Sequence, residues 1–542
     1  MFGFHKRQRS LISIKELEKE DQLERQHDLH AEASIDPLEE EDDVASVDTH
    51  RQTRNLTMIY LLFLAEAIMA SSLSAQVAIL APTATGCFDT DASFLRSISE
   101  CAYFTGSSAG VLWGWSADRV GRRSVALFGL VGMAVCCVSM GFARGFVAFA
   151  ILRFMAGMIG SAVTVAGMAM LADVTQGSKG RAQVVARLPM IAFCGSLGPL
   201  AANSIRHLSE RQVFEVLEKY PGLSGQLACA SLVGMIALAE ALLLEETQTL
   251  PTELSRTLSH EEARDCEKAA FLGQSLPNNS DDSLTLMEVL NEKAAIPLSS
   301  RLTTSQLLTA PSVLVLLASY AMLSLHSTTF DILLPHISHT RSHDGGLGLP
   351  CSWLSTIKLV IAFCAAARIL KFVPHVIERV GLLKMYGRMS WAFPVLYTII
   401  PLAGLAASSD RVAPAVAAVI SVVAMLVKAT LAGAAQVLVL LLILSAAPDA
   451  QSTGTTIGVL SIAELFKASA AGFSGISYYL SSAYSMQVVN GSLWATLALT
   501  ALAGALVTRK LRETPRVGTD IPEACLVWQG MFDSESEGEG SI

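Results

Sequence analysis

Charge is scarce in this chain: Asp, Glu, Lys and Arg supply 16% of its 542 residues, against roughly 25% in soluble domains. Hydrophobic residues supply 52% and mean hydropathy is +0.47, which excludes an ordinary soluble fold and points to a polytopic membrane protein. No Gly-rich phosphate loop is present, so transport driven by a nucleotide-binding domain is not expected. No paired catalytic carboxylates and no nucleophile–base arrangement stand at a usable spacing, which argues against an enzyme. No cleavable leader is expected, because the first ~50 residues are polar and the first apolar segment is long enough to span a bilayer. The ten cysteines are scattered, most of them in apolar runs where Cys acts as a small hydrophobe. Cys87 and Cys351 fall in expected outer loops of matching halves; two free thiols are favoured there over a disulfide. His336, His339 and His343 lack tight ligand spacing and have Arg341 among them, so a solvated loop and no metal site are expected. The formal charge of −9 comes largely from the termini, with acidic residues dense from Glu16 to Asp48, and implies no nucleic-acid partner.

What the chain does have is twelve apolar runs, near residues 57–82, 96–117, 124–143, 146–172, 183–204, 225–244, 308–334, 353–373, 385–407, 412–446, 455–480 and 491–509. Each is near or above the ~20 residues a helix needs to cross a bilayer. The over-long tenth is read as one tilted helix. The expected fold is therefore all-α and integral to the membrane, with twelve transmembrane helices in two pseudo-symmetric six-helix bundles. Residues 1–54 read as a disordered tail, 55–244 as the first bundle, 245–305 as a polar link, 306–510 as the second bundle and 511–542 as a polar tail. An even count puts both tails and the link on one side, expected to be cytoplasmic. Arg119, Arg122, Arg123, Lys179, Arg181, Arg379 and Lys384 fall there, against Arg206, Arg211 and Lys219 outside. Asn490-Gly491-Ser492 falls in the last expected outer loop and forms a weak glycosylation signal.

The most informative stretch is the short connection between runs two and three, Gly114-Trp115-Ser116-Ala117-Asp118-Arg119-Val120-Gly121-Arg122-Arg123. Gly114 permits close helix approach, Asp118 can cap a helix or pair with an arginine, and Gly121 permits a tight reversal. Headgroup anchoring alone would need neither the acid nor the glycines, so a charge latch is expected. Asp118-Arg119-Val120-Gly121 is echoed after run eight by Glu378-Arg379-Val380-Gly381, Arg153 has a counterpart in Lys428, and Asp173 has one in Asp449. Two related halves are what transporters built from parallel repeats show.

The pattern Gly-x-x-Ala-Asp-Arg-x-Gly-Arg-Arg resembles the loop between helices 2 and 3 of the major facilitator superfamily, lacking a Leu only where Ser116 stands. Gly195-Ser196-Leu197-Gly198-Pro199 resembles the Gly-x-x-Gly-Pro motif of its antiporters, although Ala201 and Ala202 stand where glycines are often found. Pro199 makes a bend that serves either exchange or structure alone. Trp113-Gly114 and Leu244-Glu245-Glu246-Thr247 are similar to the zinc-induced-facilitator-like branch and its fungal relatives. The resemblance implies a secondary active transporter of a small molecule or ion in the plasma or vacuolar membrane. It implies alternating access, proton-coupled antiport or export, no cofactor beyond the proton gradient, and function as a monomer.

Ionisable residues inside the runs are coupling or substrate candidates, since each costs ~2.5–3.5 kcal/mol on insertion scales. Glu66 is mid-run and can carry a proton or simply pair for packing. Arg153 matches the superfamily's helix-four arginine, a proton-transfer or gating residue; the alternative is snorkelling. Lys428 needs a partner, and Glu464 and Lys467, three apart on one helix face, can neutralise each other. Lys358, His326 and Asp331 are placed near the outer mouth, while Arg368, Arg388 and Glu240 lie near inner ends where snorkelling is the default. A second reading, a transporter-like nutrient sensor with signalling tails, rests on the acidic N-terminus and the long link.

Overall fold

A computed structural model describes residues 37–80, 90–175, 180–198, 220, 222–247, 311–339, 351–407, 414–446, 452–483, 486–511, 513–514 and 525–526. The chain divides into two compact units, Met1–Thr57 and Met58–Ile542. In the first, the described residues are the opening turns of helix α1, Pro37–Leu80. This helix begins inside the expected disordered tail.

In the second unit the apolar runs are helical wherever they are described. Span two is broken: α2, Thr90–Ser107, and α3, Gly110–Val120, meet at a turn in which the Ala109 amide donates to the Gly106 carbonyl at 3.0 Å. Helices α4, Arg122–Gly141, and α5, Phe146–Val174, follow. Span five is broken as well, into α6, Arg181–Ala186, and α7, Leu188–Ser196, with a proline in the first turn of α7. The first half closes with α8, Leu223–Leu243. The second half contains α9, Pro311–His339; α10, Cys351–Val380; α11, Leu382–Ala407; and α12, Pro414–Ala446. It continues with α13, Thr453–Leu460, a 3-10 turn Ser461–Ala463, α14, Glu464–Ala483, and α15, Met486–Thr508. Glu513–Thr514 and Cys525–Leu526 pair as a short antiparallel ladder. Among the described residues nine helices are long and apolar enough to cross a membrane, Thr453–Leu480 through the 3-10 turn included; the remaining runs are broken spans two and five and α11. The tenth run is one helix of 33 residues, as its apolar continuity predicts.

The repeated acid-Arg-Val-Gly turns have the same backbone. Gly121 has φ 110° and Gly381 has φ 89°, and among the described residues these two glycines adopt the left-handed region that side chains avoid. Each donates its amide back to the preceding helix, Gly121 to Ala117 at 3.2 Å and Gly381 to Ile377 at 2.8 Å. The helix packing repeats too: α2–α5, α4–α5 and α4–α8 in the first half correspond to α10–α12, α11–α12 and α11–α15 in the second. The halves meet along two seams, α2–α3 against α13–α14 and α10 against α6–α7. Exchanging the halves carries one seam into the other, the signature of a pseudo-twofold.

Outward faces are apolar, with Leu242 74% and Val147 72% exposed, a liability in water and a solvent match in lipid. Inside the second half, His326 bonds the Tyr397 hydroxyl at 3.2 Å, and Phe330, Phe393 and Trp494 stack around them.

Three expectations are corrected here. Asn490 lies inside α15 with its side chain fully buried, so the Asn-Gly-Ser tripeptide is no loop acceptor. His336 is on α9 and buried against Tyr478, not in a solvated loop, because the helix runs on through Pro335. Glu240 is wholly buried rather than snorkelling. Cys87, Pro199, Asp449 and nearly all of the central link lie outside the described residues.

Candidate functional site

The first loop places its charges in two directions. Asp118 is 4% exposed and points across the seam to the N-terminus of α13. Its Oδ1 accepts from the Gly454 amide at 3.0 Å, and its Oδ2 accepts from the Thr455 amide at 2.6 Å and hydroxyl at 2.7 Å. A carboxylate there satisfies donors that a helix start leaves open and meets the positive end of its dipole. Gly114 and Gly110 allow the approach, facing Gly458 and Gly454 so closely that a Cβ on Gly114 would collide with the Gly454 carbonyl.

Arg122 points the other way. It is fully buried, ion-paired with Asp173, 3.7 Å from Asp118, and donates to the Ala169 carbonyl at 3.1 Å. Thr247 donates to the same Asp173 carboxylate at 2.9 Å. Glu246 accepts from the Arg122 and Arg123 amides at 3.0 and 3.1 Å, closing the start of α4, and the Arg123 guanidinium donates to the Ala241 carbonyl. Arg119 is exposed and stacks 4.2 Å over Trp115. The second loop shares the turn without the reach. Glu378 is 61% exposed and 3.9 Å from His375, on its own helix, and Arg379 is exposed.

Deeper, the breaks in spans two and eleven face each other: the Ser461 hydroxyl lies 3.5 Å from the Ser108 carbonyl. Around them gathers a set of charges from both halves. Glu66 on α1 lies beside Thr164 on α5 and within electrostatic reach of Lys467 and Glu464. Among the described residues no ion pair reaches it. Lys467 pairs with Glu464 at 2.6 Å within the first turn of α14, and Tyr320 on α9 donates to that carboxylate at 3.4 Å. Arg153 is 1% exposed, pairs with Glu100 on α2 at 3.0 Å and sits 4.5 Å over the Tyr103 ring; it does not snorkel. Gly195 in the last turn of α7 and Gly198 just beyond it pack beside Ala67 and Ile68, next to Glu66, and the Gly195 carbonyl accepts from Ser71 at 3.0 Å.

Lys428 forms a second centre inside the second half. It is 2% exposed, bonds Asp331 at 2.6 Å and Ser327 at 3.2 Å, and lies 4.6 Å over Phe330. Lys358 and Arg96 stand in electrostatic range of this centre. Sequence reasoning missed Glu100 and took Asp173 and Glu246 only as pattern markers; a carboxylate inside the apolar run 96–117 was the available signal for Glu100. Among the described residues no three His, Cys, Asp or Glu side chains come together as a metal site.

Two repeated halves, two symmetry-related seams, broken helices facing at one level and ion pairs buried within fit a multi-pass membrane transporter. The Major Facilitator Superfamily family model matches residues 62–472, and the chain belongs to that superfamily. Its sequence is 24% identical over 443 residues to the major facilitator superfamily multidrug transporter mfsB of Aspergillus fumigatus, covering 72% of each chain. Its fold is similar to the human organic anion transporter MFSD10 (TETRAN), with TM-score 0.55, 16% identity and coverage of 84% and 99%. It is also similar to the proton:xylose symporter XylE, with TM-score 0.59, 14% identity and coverage of 88% and 98%. The protein is a multi-pass membrane transporter and not an enzyme.

Proposed function

We propose that this transporter moves a small solute outward from the cytoplasm in exchange for protons, by alternating access. Glu66 carries the reading: it is a carboxylate between the halves whose neighbours are already spoken for, Lys467 by Glu464 and Arg153 by Glu100. A lone acid in that place can hold either a proton or a cationic group of the solute, so the two compete. Glu464 starts α14 just after a helix break, and such breaks are where superfamily-like folds bind solute. Asp118, with Gly114 and the arginine network, acts as the inner latch: while it holds α13, that face is shut. Arg379 and Gly381 shape the matching turn of the second half. Both tails and the link face the cytoplasm, the membrane is plasma or vacuolar, and one copy suffices.

The test is full-length protein in sealed proteoliposomes, with solutes chosen by thermal stabilisation from metal chelators, organic acids and cationic drugs. A pH gradient should drive flux, and Glu66→Gln should reduce gradient-driven flux at least tenfold while solute exchange without a gradient continues. Flux indifferent to both gradient and substitution removes Glu66 from the mechanism. Stabilisation by a solute that never crosses favours the sensor reading.

A further inference from the structure

The second half carries arginines that the transport cycle does not use. Arg368 on α10 and Arg388 on α11 are both exposed and line one cavity of about 460 Å³ between α10, α11 and α12. Among the described residues neither has an ion pair or a hydrogen bond. Arg388 lies seven residues beyond Gly381 and Arg368 thirteen before it, about 10 and 20 Å along their helices at ~1.5 Å per residue. Arg368 lies inside the candidate membrane span Leu354–Val380, where a guanidinium is costly unless an anion meets it, and Arg388 shares its cavity nearer the turn.

The surroundings say which anion. A neighbouring cavity of about 410 Å³ is lined by Lys384, Arg388, Trp391 and Arg509, so Arg388 belongs to both. Arg509 stacks 5.2 Å from the Trp391 ring, which fixes one guanidinium over an interface aromatic. Among the described residues no carboxylate lines either cavity, and Glu378, on α10 before the turn, is 61% exposed beside His375. The rest of the larger cavity is apolar, with Phe372, Val376 and Met385 among its walls. Four cations and a greasy channel match an amphiphile with one negative end. A free phosphate would leave the channel empty, and an uncharged lipid would leave the arginines unmet.

We propose that this double cavity binds one anionic phospholipid from the leaflet on the Gly381 side. Its phosphate is held by Arg388 with Lys384, Arg509 and Arg368, and an acyl chain lies along the Phe372 wall. This site is separate from the solute path, and it stands or falls independently of Glu66.

The experiment uses full-length protein stripped of lipid in a neutral detergent and titrated with short-chain phosphatidylserine. Short-chain phosphatidylcholine and inorganic phosphate form separate arms. Unfolding midpoint and lipid retained in native mass spectrometry are read together. Phosphatidylserine should raise the midpoint by several degrees and be retained at one per chain, with the other two arms inactive. Arg388→Gln should weaken this at least tenfold and Arg388→Lys should restore most of it. If Arg388→Gln fails to fold, Lys384→Gln with Arg509→Gln should give the same weakening. Equal effects of phosphatidylcholine, an equal effect of inorganic phosphate, or full retention by the charge-removed proteins would each overturn the proposal.

Discussion

Arg153 shows what a single residue must solve inside a membrane. Its guanidinium is 1% exposed, and its charge is met by Glu100 at 3.0 Å and by the Tyr103 ring face at 4.5 Å. Removing one partner of such a pair leaves the other buried and uncompensated, at a cost of ~3–5 kcal/mol. Arg153→Ala should therefore lower the unfolding midpoint strongly, and Arg153→Leu combined with Glu100→Gln should recover most of the loss. A midpoint unchanged in Arg153→Ala would mean that Glu100 finds another cation. The need for a partner was legible in the sequence; its identity was not. Arg153 and Glu100 are 53 residues apart, Lys428 and Asp331 97, and Arg122 and Glu246 124. Hydropathy marks where a charge is expensive, but only the folded helix packing decides which charge stands beside it.

At the scale of elements, α3 and α13 cross through Gly110, Gly114, Gly454 and Gly458, with backbone nearly against backbone. Helices in lipid gain nothing from hydrophobic association, so such crossings depend on close packing and on polar contacts like that of Asp118. Gly458→Leu would put a side chain where the Gly110 carbonyl and the Gly114 Cα stand, at 2.7 and 3.2 Å from a first added carbon. The helices must then part, and Asp118 must release Gly454 and Thr455. The expected outcome is a protein that folds with this face open, seen as faster labelling of a cysteine placed at Thr455 than in the parent. Equal labelling would show that the crossing survives the bulk. The turn glycines were readable in sequence because a positive φ is a local demand, the same at Gly121 and Gly381. Their different neighbours were not readable. Asp118 finds a helix start across its seam, whereas Glu378 ends 61% exposed. The start of α6 in the other seam already has its Arg181 side chain turned back onto Thr175 at 3.2 Å. The breaks in spans two, five and eleven were likewise hidden, because hydropathy runs through them without interruption.

For the molecule as a whole, the two seams limit how it can move. The halves meet along one broken-span seam on either side of the pseudo-twofold, and in the proposed rocking cycle opening one face would separate the α3–α13 contact while the deeper charged layer stays between the halves. At the face carrying Gly121 the α3–α13 contact includes three hydrogen bonds to one carboxylate. If those bonds form and break in every cycle, fixing them covalently should stop transport without unfolding the protein. Asp118→Cys with Thr455→Cys puts two thiols on either side of the contact that the longer Asp118 carboxylate now bridges at 2.7 Å, and a backbone adjustment that draws α3 and α13 together lets them join as a disulfide. The comparison is between oxidised and reduced forms of the same protein, which removes the loss that Asp118→Cys itself causes. Oxidation should reduce flux at least tenfold, reductant should restore it, and the unfolding midpoint should rise when the bridge forms. Full flux with the bridge in place would show that the halves never separate at this seam, and alternating access would have to proceed by bending within each half rather than by rocking between them.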